Sequence, residues 1–211
     1  MPMGWLTFES HRWQSAPMPH GSGPVEVARL PAPGGEFLAF VRFPAGWSRA
    51  VPVVYQATEE FVILQGELRI NGQCWGARTY GCVPAGLTRT VTESLGGCLA
   101  WARFHGSPKP ALAAAAPPEA SAQALCFVDL AVQLARPGSI ADERLQSLPG
   151  GETWLAPAFD PVTLGDAGRQ HDALALDQFG WWCGQTDPTM LHNDSPATGP
   201  AIVHRTSEAL R

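Results

Sequence analysis

Apolar and polar positions alternate with a period of two over much of the first half of the chain. Val25-Glu26-Val27-Ala28-Arg29-Leu30 reads as a strand, and Glu36 to Phe43 (Glu-Phe-Leu-Ala-Phe-Val-Arg-Phe) as a second, aromatic-rich one. Val51 to Tyr55 is a short β-branched run. Glu60 to Gln65 and Glu67 to Ile70 are expected to pair around Gly66, and Asn71-Gly72 is a strong two-residue hairpin signal. Arg89 to Thr92 is a further short strand, and Cys98 to Phe104 closes the block. Gly and Pro punctuate these segments at Pro33-Gly34-Gly35, Pro44-Ala45-Gly46, Pro84-Ala85-Gly86 and Gly96-Gly97. Short strands about ten residues apart with such boundaries predict an all-β sandwich or barrel.

The pattern divides the chain. Residues 1–24, with Trp5, Trp13, Pro17 and Pro19, read as an irregular arm that packs by its tryptophans. Residues 25–107 make the barrel, and the Ala/Pro-rich 108–123 is a linker or surface crossing. In 124–211, Leu125 to Ala135 is apolar and suits a strand or one side of a helix, while Ala141 to Leu148 predicts a short helix stopped by Pro149-Gly150-Gly151. Trp154 to Leu164 and Ala173 to Trp182 have strand-like content, and Pro188 to Pro200 is turn-rich. This half is either a degenerate second barrel or a set of extra strands on the first sheet. The second is favoured, because the first block's motif does not recur.

Composition narrows the function classes. Hydrophobic residues at 45% against 16% charged are enough for a packed core, and 22 Gly with 20 Pro exclude a helical bundle. The formal net charge is −5 and no Lys/Arg run occurs, which argues against nucleic-acid or anionic-membrane partners. No apolar run approaches the roughly 20 residues needed to span a bilayer. The first residues carry Glu9 and His11 without a continuous apolar stretch, which predicts no secretory leader. The five cysteines are odd in number and none forms a Cys-x-x-Cys pair, so buried thiols in a reducing cytoplasm are expected.

One frame carries chemistry. Gly46 is followed by five residues, then by Pro52 and Val54; four residues on comes Glu59, and six further on, Gly66. This resembles the first motif of the cupin superfamily, Gly-x5-His-x-His-x3,4-Glu-x6-Gly, with both histidines replaced. A three-residue spacer puts Val53 and Tyr55 in those positions instead. Pro84-Ala85-Gly86 fits the centre of the second cupin motif, with Arg89 at its histidine position and Glu93 at its asparagine position. Gly76 to Gly86 and Ala102 to Pro108 are similar to the cupin domains of ChrR-type anti-sigma factors and of acetylacetone-dioxygenase-like proteins. The resemblance spans residues 13–108 and implies an RmlC-like jelly-roll barrel, a fold whose members commonly hold a metal and often pair as homodimers.

The substitutions change what that resemblance implies. Valine and proline offer no lone pair, and arginine is permanently cationic. No metal is therefore expected at the family's ligand positions, here Pro52, Val54, Glu59 and Arg89. Glu59 and Arg89 are expected instead to face each other inside the barrel, since an unpaired buried carboxylate is costly. Phe61, Ile63, Phe40 and Trp101 are candidates for the cavity lining, by alternation from Glu59 and by aromatic content. The expected function is the binding of a small polar or anionic molecule, or a regulatory or structural role, without cofactor or assigned catalytic residue. The alternative is a dioxygenase- or isomerase-type enzyme holding Fe, Zn, Ni or Mn by unusual ligands. Gln170-His171-Asp172 and His192-Asn193-Asp194 with Cys183 are the candidates for a displaced site.

Overall fold

The computed structural model of the chain describes residues 4–7, 12–32, 35–113, 125–136, 143–148, 151–159, 170–176, 180–185 and 199–206. The described strands are β1 (Gly4–Thr7), β2 (Gln14–Ala16), β3 (Val25–Leu30), β4 (Phe37–Phe43), β5 (Trp47–Arg49), β6 (Val53–Tyr55), β7 (Glu59–Ile70), β8 (Gln73–Gly76), β9 (Thr79–Val83), β10 (Thr88–Arg89), β11 (Thr92–Ser94), β12 (Cys98–Phe104), β13 (Pro110–Leu112) and β14 (Cys126–Asp129). After a short helix α1 (Leu130–Leu134) come β15 (Glu143–Leu148), β16 (Gly151–Phe159), β17 (Gln170–Ala175), β18 (Gly180–Gln185) and β19 (Gly199–Thr206). The chain divides into two compact units, Arg12–Asp129, and Met1–His11 with Leu130–Arg211. Among the described residues no helix is long and apolar enough to cross a membrane.

In the first unit a curled antiparallel sheet runs in the order β14-β9-β7-β12-β4-β3-β2. β7 also carries β8 and β11, and β11 reaches β5. A small sheet β10-β6-β13 lies apart from this path. The expected hairpin about Gly66 is not formed: Glu59–Ile70 is one continuous strand. Its first half pairs with β9 and β12, and its second half with β8 and β11. Gly66 is the corner between the halves. It has φ of +73°, and a Cβ there would lie 2.0 Å from the Gly97 carbonyl oxygen, so no other residue fits without displacing backbone. The hairpin lies one turn later, at Asn71 and Gly72, whose φ values of +53° and +83° suit a tight β-turn.

Strand alternation then sorts the side chains. Ala39, Val41 and Phe43 of β4, Phe61 and Ile63 of β7, and Ala100 and Ala102 of β12 share one face and one buried cluster, joined by Trp47 and Trp75. Trp47 packs its ring 4.9 Å from Phe43 and donates its Nε1 hydrogen to the Gly23 carbonyl at 2.9 Å, tying the preceding loop to the barrel. The opposite face carries Leu38, Phe40, Val62, Leu64, Trp101 and Tyr80, all buried as well. Both faces are therefore dehydrated, and runs such as Phe37–Phe43 read as nearly continuous apolar sequence.

In the second unit six strands form an antiparallel sheet of their own, β1-β18-β17-β19-β16-β15, with Ala156, Ala173, Ala201 and Val203 clustered in its core. The helix expected over Ala141 to Leu148 is replaced by β15. Helix-forming residues there give way to pairing with β16, with Leu148 directly opposite Gly151. Ala173 to Trp182 contains parts of two strands, paired antiparallel with Leu174 opposite Trp181. The Leu125 to Ala135 run is both things it suggested, a strand and then a helix, and β14 sits on the edge of the first unit's sheet beside β9. Residues 1–24, read as irregular, contain β1 on the edge beside β18 and β2 beside β3. Trp13 covers the Arg42 guanidinium, 4.3 Å from its ring centre. Most of the linker, residues 160–164 and nearly all of 188–200 lie outside the described residues.

Candidate functional site

The barrel unit holds a partly open cavity of about 320 Å³ with mainly apolar walls, among them Val41, Phe43, Trp47, Phe61, Leu68, Ala100 and Phe104. Its inner polar groups come from four short stretches, Arg49, Tyr55, Glu59, and Arg89 with Thr92, and the exposed Lys109 also borders it. Local pairing aims them. Thr92 lies opposite Arg49 across β11 and β5, and Arg89 lies opposite Val53 across β10 and β6. Glu59 opens β7 and shares the face of Phe61, two residues on.

Arg89 Nη1 forms an ion pair with Glu59 Oε2, and both side chains are largely buried. The Arg89 guanidinium also lies over the Tyr55 ring, 4.4 Å from its centre. Arg49 approaches the same ring at 5.6 Å, donates from Nη1 to Tyr55 Oη at 3.0 Å, and reaches Thr92 Oγ1 from Nη2 at 3.4 Å. Two guanidiniums thus share one aromatic ring beside a single carboxylate. Arg49 and Arg89 are 2% and 4% exposed. Even so, Nε of Arg49 and Nε and Nη2 of Arg89 make no hydrogen bond among the described residues. Buried charged donors without acceptors are uncommon, because the lost hydration is not replaced.

Of the residues singled out by sequence, Glu59, Arg89 and Phe61 meet at this cavity, and Ile63 lies deeper on the same face. Phe40 and Trp101 lie on the other side of the sheet. They are direct partners of each other, and Trp101 pairs with Val62, one residue out of phase with Phe61. Alternation from Glu59 and aromatic content put them in the expected lining, and the observed register puts them on the other face. Pro52 and Val54 are half-buried and do not line the cavity; of the two positions the three-residue spacer gives, Tyr55 lines it and Val53 does not. Arg49 occupies none of the matched motif positions. Its signal was the alternation Trp47-Ser48-Arg49, which puts the arginine on the same side as a core tryptophan. The side chains of His171, Asp172, Cys183 and His192 to Asp194 lie outside the described residues.

A second polar cluster sits on the opposite face, where the next residue, Glu60, points. Glu60 is fully buried and accepts from Tyr80 Oη at 2.5 Å and from His105 Nε2 at 2.7 Å, while His105 Nδ1 bonds Glu36 at 2.9 Å. Burial alone would lower the His105 pKa, but the two carboxylates raise it to about 9, so the ring is an imidazolium at neutral pH. Burial, and then the Glu60 charge, push the Tyr80 phenol well above its usual range. The two carboxylates meet opposite edges of one ring and do not converge on a point. Among the described residues no three His, Cys, Asp or Glu side chains are grouped to hold a metal ion.

No protein-family model and no curated protein matches the sequence. Solved structures do match the fold. A candidate dioxygenase from Nostoc punctiforme PCC 73102 is 16% identical with a TM-score of 0.69, over 97% of this chain and 82% of that one. The protein Ylba from E. coli is 9% identical with a TM-score of 0.55, over 99% and 91%. A cupin 2 conserved barrel domain protein from Leptotrichia buccalis is 10% identical with a TM-score of 0.52, over 87% and 89%. At these identities the likeness speaks for architecture alone. Its curled antiparallel sheet, its Gly66 corner and these likenesses together make this chain an all-β protein of the cupin barrel fold.

Proposed function

We propose that the chain is a metal-free cupin-fold protein that binds a small anionic or polar molecule in its barrel. The observation that carries this reading is the set of buried guanidinium donors without acceptors on Arg49 and Arg89, two residues that line the cavity. An anion supplies the missing acceptors and offsets the excess positive charge of two arginines over one carboxylate.

The same groups fit a divalent metal poorly. Glu59 is engaged by a guanidinium, which repels a cation, and the Tyr55 hydroxyl is engaged by Arg49. Val53 has no lone pair to give. The role is binding, in a regulatory or structural setting, with a homodimer as the expected assembly. The test is a thermal-shift screen of small anions alongside elemental analysis of the purified protein. Stabilisation by anions that is lost in Arg89→Gln, with no bound transition metal, supports the reading. One equivalent of Fe, Zn, Ni or Mn per chain that disappears in Glu59→Gln overturns it.

A further inference from the structure

We infer that the ligand is a monocarboxylic acid with a compact apolar body, its carboxylate held by the lateral edge of Arg89 and by Arg49. This rests on the anion-binding reading and narrows it to one class.

The edge is defined by which nitrogens are in use. Nη1 of Arg89 faces Glu59, which leaves Nε and Nη2 without hydrogen bonds. These two nitrogens carry parallel N–H bonds along one side of the guanidinium, a fork that matches the two oxygens of a carboxylate. The Arg49 guanidinium lies by the same Tyr55 ring and its Nε also lacks an acceptor, so a second cationic side chain borders the cavity there.

Charge sets the valence. Two guanidiniums and one carboxylate leave one positive charge in a largely apolar cavity. A monoanion cancels it, a neutral molecule leaves it unbalanced, and a dianion reverses it. Lys109 also borders the cavity, but it is exposed and its ammonium is hydrated.

Shape sets the body. Beyond the arginines the walls are hydrocarbon and aromatic, including Val41, Phe43, Phe61, Leu68 and Ala100. About 320 Å³ holds roughly ten water-sized groups, enough for a short aliphatic or single-ring acid. A second charged or strongly polar group would be stranded against these walls.

The experiment is titration calorimetry on the full chain with hexanoate and phenylacetate, set against hexanamide, adipate and inorganic phosphate. The expected result is saturable binding of the two monocarboxylates, with hexanamide and adipate weaker by at least about tenfold. Arg89→Lys keeps the charge but loses the fork, and should weaken hexanoate by about tenfold to a hundredfold. Phosphate or adipate binding as tightly as hexanoate overturns this inference and leaves the anion reading standing. Equal affinity for hexanoate and hexanamide overturns the carboxylate clamp. Absence of binding by every anion to folded protein removes both. The ligand series uses the unaltered chain, so a poorly folded variant leaves the outcome decided.

Discussion

The side-chain oxygen of Asn71 accepts from both the backbone N–H of Thr90, at 2.7 Å, and its hydroxyl, at 3.0 Å. The amide nitrogen of Asn71 donates to the Thr88 carbonyl at 2.9 Å. These bonds bracket Arg89, so a hairpin residue chosen for its left-handed backbone also fixes the segment that carries a cavity arginine. Asn71→Ala removes three hydrogen bonds and places alanine at positive φ. We expect a loss of about 2 kcal/mol in urea unfolding. Asn71→Asp keeps the Thr90 bonds and should lie between the two.

His105 makes stability depend on pH. Its pKa is raised in the folded protein to about 9, against about 6.5 unfolded. A raised value means that the contribution is complete below the unfolded pKa and is lost as pH climbs through about 9. Unfolding free energy measured from pH 6 to pH 10 should fall across that window. His105→Gln, which carries no charge and can donate toward only one of the two carboxylates, should flatten the slope. Equal slopes in the two proteins would refute the imidazolium assignment.

Gly81 makes room for a ring. A Cβ at this position would lie 2.3 Å from Cζ of Phe61, whose ring packs edge-on against Trp75 at 5.4 Å. Gly81→Ala should therefore cost about 1–3 kcal/mol by overpacking, read as a lowered thermal midpoint. Adding Phe61→Leu should recover part of the loss, because the clash is with the ring. A double variant no better than Gly81→Ala alone would place the strain elsewhere.

Thiol reactivity should follow burial. Cys98 lies in the barrel core, and burial pushes its thiol up to about 12. Iodoacetamide at pH 8, followed by mass spectrometry, should leave Cys98 unmodified in the native protein and alkylate it in urea. The half-buried Cys74 should react before it.

Much of the barrel was legible because its strands obey local rules. Val25–Leu30 and Cys98–Phe104 follow from alternation and Gly/Pro punctuation, and Asn71-Gly72 marks its hairpin by backbone preference. Gly66 misled for a physical reason: a glycine at positive φ suits a turn and a strand corner equally, and only the approach of Gly97 separates them. Parity was the limit within the site. Phe40 and Trp101 sit in strands buried on both faces, so hydrophobicity carries no sign of inside or outside. The helix expected over 141–148 failed because local propensity is a weak prior against pairing with β16. Arg49 and Tyr55 gain meaning only when β5, β6, β10 and β11 come together, and that depends on long-range pairing.

The seven steps from Glu59 to Gly66 span about 23 Å of extended chain. Since Gly66 is pinned by a carbonyl that tolerates no side chain, that interval works as a ruler, setting how far from the bend the acid must stand. The spacing would keep its value whatever sits opposite the acid, a cation or a guanidinium. A motif of this kind measures length, and the occupant of its far end has to be read from the neighbouring strands.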